Sequence, residues 1–301
     1  MPLALRDRPF TVREGLAAGM TTGALRSSRL HTETRAVRSI DPPERLVDRA
    51  RAFAAGLPPD VAFSHVTSLR LMGLPLPSRI PDDVLHVMRE SERTRIRRTS
   101  CCGHRGLESR GVAIEDGLRL VGAPDSWCDL GELSPKALAI DDLIVAGDAI
   151  LTRLSVGPAV LEHTLESRTR PRGKARLSEA LQLIRPGSRS PMESLSRLMF
   201  VRAGFPEPTL NAPVLDREGG WLLTGDLVWE EERVVAEYQG AVHAPIHERS
   251  DDSDRMSVAF DEGVMVFELF AEDVFDRRRR IRCLSRVARA LGLDTDRLRI
   301  A

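Results

Sequence analysis

The chain has 301 residues, which is enough for two domains and a small third one. Its 42% hydrophobic and 29% charged residues are typical of a soluble globular protein, and its 44 basic side chains balance 44 acidic ones. This balance excludes a strongly basic nucleic-acid binder, so a nucleic-acid contact has to rest on local patches. The aromatic content of 4% argues against a base-stacking platform.

The cysteines and the apolar runs bear on the cellular compartment. Four cysteines show neither zinc-ligand spacing nor a disulfide framework, which fits a reducing environment. No apolar run approaches the roughly 20 residues that span a bilayer, and the N-terminal residues lack the apolar core of a signal peptide. We therefore predict a cytoplasmic protein without membrane contact, and the sequence leaves its oligomeric state open.

Residues 1–42 are predicted to form two short helices around a glycine turn. Thr11 is placed to cap a first helix that ends near Gly19, and Thr21 opens a second helix that reaches Leu30. Two helices joined by a glycine-containing turn form the outline of a helix-turn-helix. A plain helical hairpin is the alternative interpretation of the same residues.

The stretch Phe10–Arg26 resembles the N-terminal winged-helix domain of the AbiEi family, whose members are antitoxin-type regulators of type IV toxin–antitoxin systems. The resemblance implies that this region binds DNA and that a cognate toxin is a partner. In that domain a basic, glycine-containing β-wing follows the helices. Leu30–Ser39 lacks the glycine, so we expect a degraded winged-helix-like segment over residues 1–42.

Residues 43–155 are predicted to form a mixed α/β domain. The predicted helices are Pro43–Leu57, Pro124–Gly131 and Ile140–Leu151. The predicted strands are Val84–Val87, Val112–Ile114 and Leu118–Val121. Two stretches, Ala62–Pro77 with its Ser-His and Gly-Leu-Pro motifs and Ser126–Leu130, resemble the central part of AbiEi-like actinobacterial proteins.

His65 and an arginine-rich stretch are the candidate functional residues of this domain. His65 has two interpretations, a catalytic residue or a histidine that caps or braces a buried helix, and the second is the more common role in proteins. The arginines between Arg89 and Arg110 are able to meet phosphates. A solvated loop explains their composition better.

Residues 156–187 are predicted to be a helical, basic connector. Two helices, Pro158–Glu166 and Leu177–Ile184, flank a stretch rich in arginine around Pro171 and Gly173. We predict that Arg170, Arg172 and Lys174 contact a nucleic-acid backbone. A flexible surface turn explains the same residues equally well.

Residues 188–301 are predicted to contain a β-hairpin with acidic residues. Two apolar runs, Trp221–Trp229 and Val234–Tyr238, flank a charged break. If Trp229 pairs with Val234, Asp226 lies opposite Glu237, with Cβ atoms roughly 5 Å apart. Two carboxylates at that distance repel unless a cation lies between them. Gln239 is two residues beyond Glu237 and therefore points to the same face.

The elements around this hairpin complete the predicted domain. Ser190 and Glu193 form a capping box at the start of a helix, with Pro191 in its first turn. A buried strand over Val264–Leu269 and a helix over Asp273–Leu291 follow the hairpin. The predicted order is α-β-β-α-β-α, which agrees with a restriction-endonuclease-like core. The fold class of the whole chain is therefore predicted to be α+β, with several domains.

The hairpin resembles the PD-(D/E)XK nuclease superfamily, with Asp226 as the first acid, Glu237 as the second and Gln239 at the lysine position. The wider segment from Ser190 to Val274 resembles small actinobacterial domains of unknown function that are related to very-short-patch repair endonucleases. The matching residues are Ser190-Pro-Met-Glu193, Gly225-Asp226, Ala236-Glu-Tyr-Gln-Gly240, His243 and Asp254-Arg255.

The resemblance implies a metal-dependent DNA endonuclease in which Asp226 and Glu237 bind Mg²⁺ or Mn²⁺. Glu193 would complete the metal shell, Gln239 would orient water and His243 would protonate the leaving oxygen. Arg255 would contact a phosphate, although an ion pair with Asp251 or Asp252 explains it equally well.

The glutamine at the lysine position has an uncharged side chain. The alternative is therefore a catalytically inactive regulator or antitoxin that retains the nuclease core as a scaffold. Binding of a protein partner, without metal or DNA, is a third interpretation. Simpler roles explain the acids as well, since Ser190 with Glu193 caps a helix and a strand Asp beside a strand Glu is often a solvent-facing pair.

Overall fold

The computed structural model describes residues 2–240 and 258–299. The chain folds into two compact units, Met1–Ala146 with Ala159–Glu179 and Gly147–Pro158 with Ala180–Ala301. Helices accompany three sheets of two, six and four strands in the described residues, so the architecture is mixed α/β. His243 and Arg255 lie outside the described residues.

The first unit begins with α1 (Val12–Ala17), α2 (Thr22–Leu25) and a two-stranded sheet of β1 (Phe10–Thr11) and β2 (Val37–Arg38). The predicted cap is present, because Thr11 Oγ1 accepts from the Glu14 backbone N at 3.1 Å and Glu14 Oε2 accepts from Thr11 N at 2.7 Å. The second helix was predicted to reach Leu30, which is wrong. It ends at Leu25, whose side chain packs with Phe10 in a small core.

A six-stranded sheet, in the order β5-β6-β4-β3-β8-β7, forms the centre of this unit. Its strands are β3 (Ala62–Phe63), β4 (Leu85–Arg89), β5 (Arg97–Arg98), β6 (Cys101–Arg105), β7 (Val112–Glu115) and β8 (Leu118–Val121). The three strands predicted from periodicity correspond to β4, β7 and β8. The arginine-rich stretch was interpreted as a loop, and this is wrong, since it contains β5 and β6.

The helices of this unit are α3 (Leu46–Gly56), α4 (His65–Leu71), α5 (Ala123–Asp129) and α7 (Ala159–Glu166). Two further helices, α6 (Ile140–Leu154) and α8 (Lys174–Leu183), each contribute residues to both units. Trp127 is fully buried, and its Nε1 donates to the Leu143 backbone O at 2.9 Å. No single helix in the described ranges is long and apolar enough to cross a membrane. The successive helices α6 and α7 pass that test only jointly, across a bend.

The second unit contains a four-stranded sheet in the order β12-β11-β10-β9. Its strands are β9 (Thr209–Leu215), β10 (Trp221–Trp229), β11 (Val234–Tyr238) and β12 (Met265–Leu269). Neighbouring strands are antiparallel, except that β11 and β12 are parallel. The predicted order of elements lacked β9, which was missed because Pro213 interrupts its pattern. Proline is tolerated there because β9 is an edge strand.

Two layers of side chains cover the two faces of this sheet. Helices α9 (Pro191–Ala203) and α11 (Arg277–Ala290) pack on one face, where the Phe200 ring meets the Trp229 ring edge-on with centroids 5.1 Å apart. A smaller cluster around Val228 and Val235 covers the other face. The predicted helix over Asp273–Leu291 is in fact two, α10 (Ala271–Phe275) and α11, because Asp276 leaves the helical conformation and caps α11.

Candidate functional site

The hairpin of β10 and β11 has the register predicted for it. Trp229 pairs with Val234, and Leu227 pairs with Ala236. The next residues along the two strands are Asp226 and Glu237. The Tyr238 backbone N donates to Asp226 Oδ2 at 2.8 Å, so the Asp226 carboxylate reaches across to β11. The structure therefore brings Asp226 and Glu237 to neighbouring positions on adjacent strands.

Glu193 joins these acids from the first turn of α9. Its side chain is 7% exposed, and its Oε2 accepts from the Asn211 Nδ2 at 2.6 Å and from the Arg189 backbone N at 2.8 Å. The Ser190 Oγ also caps α9, by accepting from the Glu193 backbone N at 3.2 Å. Asn211 is on β9, which pairs with β10 beside Asp226. Glu193 is thus held next to the acidic end of the hairpin.

Burial and charge together raise the pKa of Asp226 above its usual value. Burial of the carboxyl group is the largest cause, and the negative charge of Glu193 acts in the same direction. The hydrogen bond from Tyr238 and the positive charge of Arg189 oppose the shift. The net result is a carboxylate whose charge is not fully compensated by its protein neighbours.

A further acid, Glu268, extends the row and was missed by the sequence analysis. In the parallel pairing of β11 and β12, Glu237 is opposite Glu268. Residues that pair across a sheet share a face. The Gln239 backbone N donates to the Leu269 backbone O at 2.7 Å, so strand-like pairing continues past Tyr238. The backbone of Gln239 thus continues from Tyr238 at the end of β11, and the role of its side chain stays a prediction.

The predicted nucleic-acid contacts Arg170, Arg172 and Lys174 are all exposed. Arg172 Nη1 lies 3.4 Å from Glu132 Oε2, and Lys174 begins α8. Other arginines of the same stretch have structural roles. Arg168 pairs with Asp125 at 2.5 Å while only 6% of its side chain is exposed, and Arg176 donates to the backbone O atoms of Leu133 and Leu138. The basic surface is consequently smaller than the composition indicated.

A second cluster of titratable side chains lies in the first unit. Of its histidines, the sequence analysis singled out only His65. His65 begins α4, His86 is on β4 and His104 is on β6. Since β4 and β6 are parallel with His86 opposite Cys102 and Met88 opposite His104, the two strand histidines share a face. The rings of His65 and His104 stack with centroids 3.8 Å apart. One ring nitrogen from each histidine lies within 4.8 Å of the others.

Glu132, on the short 3-10 helix Leu130–Glu132, supplies a negative charge beside this cluster. Its Oε2 lies 3.8 Å from both His65 Nε2 and His104 Nδ1. These histidines hold the pKa of Glu132 well below its usual range. Burial lowers the pKa of His86 to about 3 and also lowers that of His104. His86 is therefore a neutral imidazole at neutral pH, with one ring nitrogen that carries a free electron pair.

The cluster could not be found from spacing in the sequence. Its members come from three separate elements, and their proximity depends on the pairing of β4 with β6. The β6 sequence Cys-Cys-Gly-His-Arg has no apolar alternation. The only signal in the sequence was His65, for which a catalytic role was one of two interpretations.

Comparison with known proteins identifies two relatives, both from Mycobacterium tuberculosis strains and both described as uncharacterized, MT2308 and Rv2248. Each is 30% identical to this chain over 168 residues, which is 56% of this chain and 57% of the relative. The chain thus spans little more than half the length of these curated relatives. No protein-family model matches the chain, and no solved structure matches it.

Proposed function

We propose that the second unit is a metal-dependent DNA endonuclease that hydrolyses phosphodiester bonds at Asp226 and Glu237. The observation that carries the proposal is the hairpin register, in which Trp229 pairs with Val234 and places the two acids side by side. Asp226 has a raised pKa because it is partly buried and near Glu193. Carboxylates crowded in this way are a donor set that fits Mg²⁺ or Mn²⁺, which prefer oxygen ligands.

The proposal gives a role to Asp226, Glu237, Glu193 and Gln239. Asp226 and Glu237 are the metal ligands, and Glu193 adds negative charge from its position beside Asn211. A bound divalent ion supplies Lewis-acid chemistry, which activates water and neutralises charge on the phosphodiester. Gln239 positions a water molecule through its amide group. By resemblance, His243 protonates the leaving oxygen and Arg255 contacts a phosphate, and both lie outside the described residues.

The order of elements supports the same proposal. Helix α9, the antiparallel strands β9, β10 and β11, the parallel strand β12 and helix α11 follow one another in the second unit. A restriction-endonuclease-like core is also a mixed sheet packed with helices. The exposed Arg170, Arg172 and Lys174 remain candidates for contacts with the DNA backbone, in a chain whose net charge is zero.

A second candidate function is a catalytically inactive DNA-binding regulator or antitoxin with a cognate toxin as its partner. Two observations favour it. Gln239 occupies the position where the resembled nucleases have a lysine. In addition, among the described residues, the acids of the second unit do not bring three ligand atoms within 4.8 Å of one another, whereas the histidines do. The resemblance of Phe10–Arg26 to a winged helix assigns DNA binding to the first unit in this case.

Cleavage of supercoiled plasmid in Mg²⁺ and in Mn²⁺ tests the first proposal. The wild-type chain should nick the plasmid only with metal. Glu237→Ala should lose more than the roughly 10-fold to 100-fold in rate that removal of a partner outside the metal shell costs, because it removes a ligand. Glu231→Ala, which removes an exposed acid at the turn of the same hairpin, is the matched control and should cut normally. Cutting that persists in Glu237→Ala, or no cutting with either metal, would favour the regulator.

A further inference from the structure

We propose that His65, His86 and His104 form a binding site for a transition-metal ion of the Zn²⁺ class. The site lies within the first unit and does not depend on the proposed nuclease function. Three imidazoles are a donor set found in zinc proteins, where a fourth position remains for water or another ligand. Mg²⁺ is a poor candidate here because it takes oxygen ligands in octahedral geometry.

Two of the three nitrogen atoms, which now share a hydrogen bond, are close to the spacing of ligands on one ion. His86 Nδ1 and His104 Nε2 lie 3.0 Å apart. Two nitrogens bound to one tetrahedral Zn²⁺ ion at its usual distance would be about 3.3 Å apart. These two side chains therefore need to separate by only a few tenths of an ångström to share an ion.

His65 provides the observation that points most directly to a ligand. Its side chain is fully buried, its Nδ1 lies 2.9 Å from Ser64 Oγ, and its Nε2 has no hydrogen-bond partner. Buried polar atoms in native proteins are nearly always satisfied, so an unsatisfied one needs an explanation. A metal ion bound to Nε2 would provide the missing partner, while Ser64 fixes the orientation of the ring from the other side.

The backbone at His65 also indicates a constrained position. Its φ angle is +52°, in the left-handed region that residues other than glycine seldom adopt. Such conformations persist where the surrounding structure enforces them, and they concentrate at functional sites. Here the residue is the first of α4, and its ring stacks on that of His104 from the sheet.

Glu132 supplies the carboxylate of the proposed site. Its Oε2 is 3.8 Å from His65 Nε2 and the same distance from His104 Nδ1. At His104 the carboxylate lies beside Nδ1, whereas Nε2 faces His86, so it would orient the ring and raise its affinity for the metal. At His65 it lies beside Nε2, the proposed ligand atom, and would therefore face the ion itself. The rings of His65 and His104 are now stacked, with an angle of 26° between their planes. Ion binding requires these rings to turn so that both electron pairs face the ion.

The experiment uses the full chain, freed of metal by a chelator and then titrated with Zn²⁺ and with Co²⁺. We expect one equivalent to bind with the visible absorption of tetrahedral Co²⁺, and X-ray absorption should show nitrogen and oxygen ligands. His86→Gln and His104→Gln should each lower the affinity for Zn²⁺ by about 10-fold to 100-fold or more. The circular dichroism spectrum of each variant should remain that of the folded protein. His163→Ala, which changes an exposed histidine on α7, should bind like the wild type.

Three results would overturn the assignment. The first is a folded wild-type chain that takes up less than a stoichiometric amount of Zn²⁺. The second is equal uptake by His86→Gln and the wild type. The third is a sulfur ligand in the X-ray absorption spectrum together with loss of binding in Cys102→Ser, because Cys102 pairs with His86 in the sheet. If the histidine variants fail to fold, the wild-type stoichiometry and ligand type alone decide the question.

Discussion

The Tyr238 backbone N–H donates to Asp226 Oδ2 at 2.8 Å, which ties the side chain of one hairpin strand to the backbone of the other. This contact fixes Asp226 at the end of β10, just beyond the paired residues Leu227 and Ala236. The hydrogen bond engages only one carboxylate oxygen, Asp226 Oδ2. The acidic site therefore depends on the hairpin for its geometry.

The raised pKa of Asp226 predicts how stability changes with pH. A carboxyl group whose pKa is raised on folding contributes stability below its ordinary pKa, which is 3.8 for an unperturbed Asp. This contribution is lost as the pH rises through the raised value. We therefore expect Asp226→Asn to raise the melting temperature at pH 7 without divalent ions. The difference from the wild type should vanish near pH 3, where both side chains are neutral. Thermal unfolding at the two pH values measures this, and a destabilised variant at pH 7 would refute it.

Gly225, the residue before Asp226, is predicted to be essential for the packing of the hairpin. A Cβ atom at Gly225 would lie 2.5 Å from Val235 Cγ1 and 2.8 Å from Val228 Cγ2. Gly225→Ala should cost about 1–3 kcal/mol in unfolding free energy, as overpacking does. Adding Val235→Ala should recover part of this loss, because it removes the closest contact. Gly157→Ala, with no atom within 4 Å of its new Cβ, is the control for denaturant unfolding. If the losses in unfolding free energy for Gly225→Ala and Val235→Ala simply added in the double variant, the proposed clash would not occur.

Removal of one partner from the buried ion pair of Arg197 with Asp148 is predicted to destabilise the second unit. Both side chains are fully buried, with Arg197 Nη2 3.1 Å from Asp148 Oδ2, and Ser194 Oγ donates to the same oxygen at 2.7 Å. Arg197→Ala leaves Asp148 buried without its cation and should cost about 3–5 kcal/mol. Arg278→Ala, an exposed arginine on α11, should change stability by less than about 0.5 kcal/mol. Chemical denaturation measures the unfolding free energy of both variants. An equally small loss for Arg197→Ala and Arg278→Ala would contradict the prediction.

Gln239→Lys is predicted to increase cleavage. The substitution restores a positive charge at the position where the resembled nucleases have a lysine, close to Glu237 and to the proposed ligand Asp226. We expect a rise of about 10-fold or more in single-turnover rate, a typical scale for one charged group at a reacting centre. Gln182→Lys places the same charge on an exposed residue of α8 and should leave the rate unchanged. Equal rates for both variants would argue that position 239 has no part in the chemistry.

The sequence predicted the hairpin well because its signals are local. Two apolar runs and a charged break determine the pairing of Trp229 with Val234, and the acids follow by counting. It failed where a strand lacks such a pattern, as in β9 with Pro213 and in β6 with its Cys-Cys-Gly-His-Arg sequence. The histidine cluster was missed for the same reason, since it exists only through the pairing of β4 with β6. Glu268 was missed because the parallel neighbour of β11 could not be deduced from local signals.

The claim that Asp226 and Glu237 share a divalent cation is tested most directly by Mn²⁺ binding, measured by electron paramagnetic resonance on a reference chain with Asp226 intact and on Asp226→Asn. Both proteins should carry His86→Gln and His104→Gln, so that the histidine cluster does not contribute. We predict about one bound Mn²⁺ per reference chain, which Asp226→Asn loses and which excess Mg²⁺ displaces. Identical binding by the two proteins, or no binding by either, would contradict it.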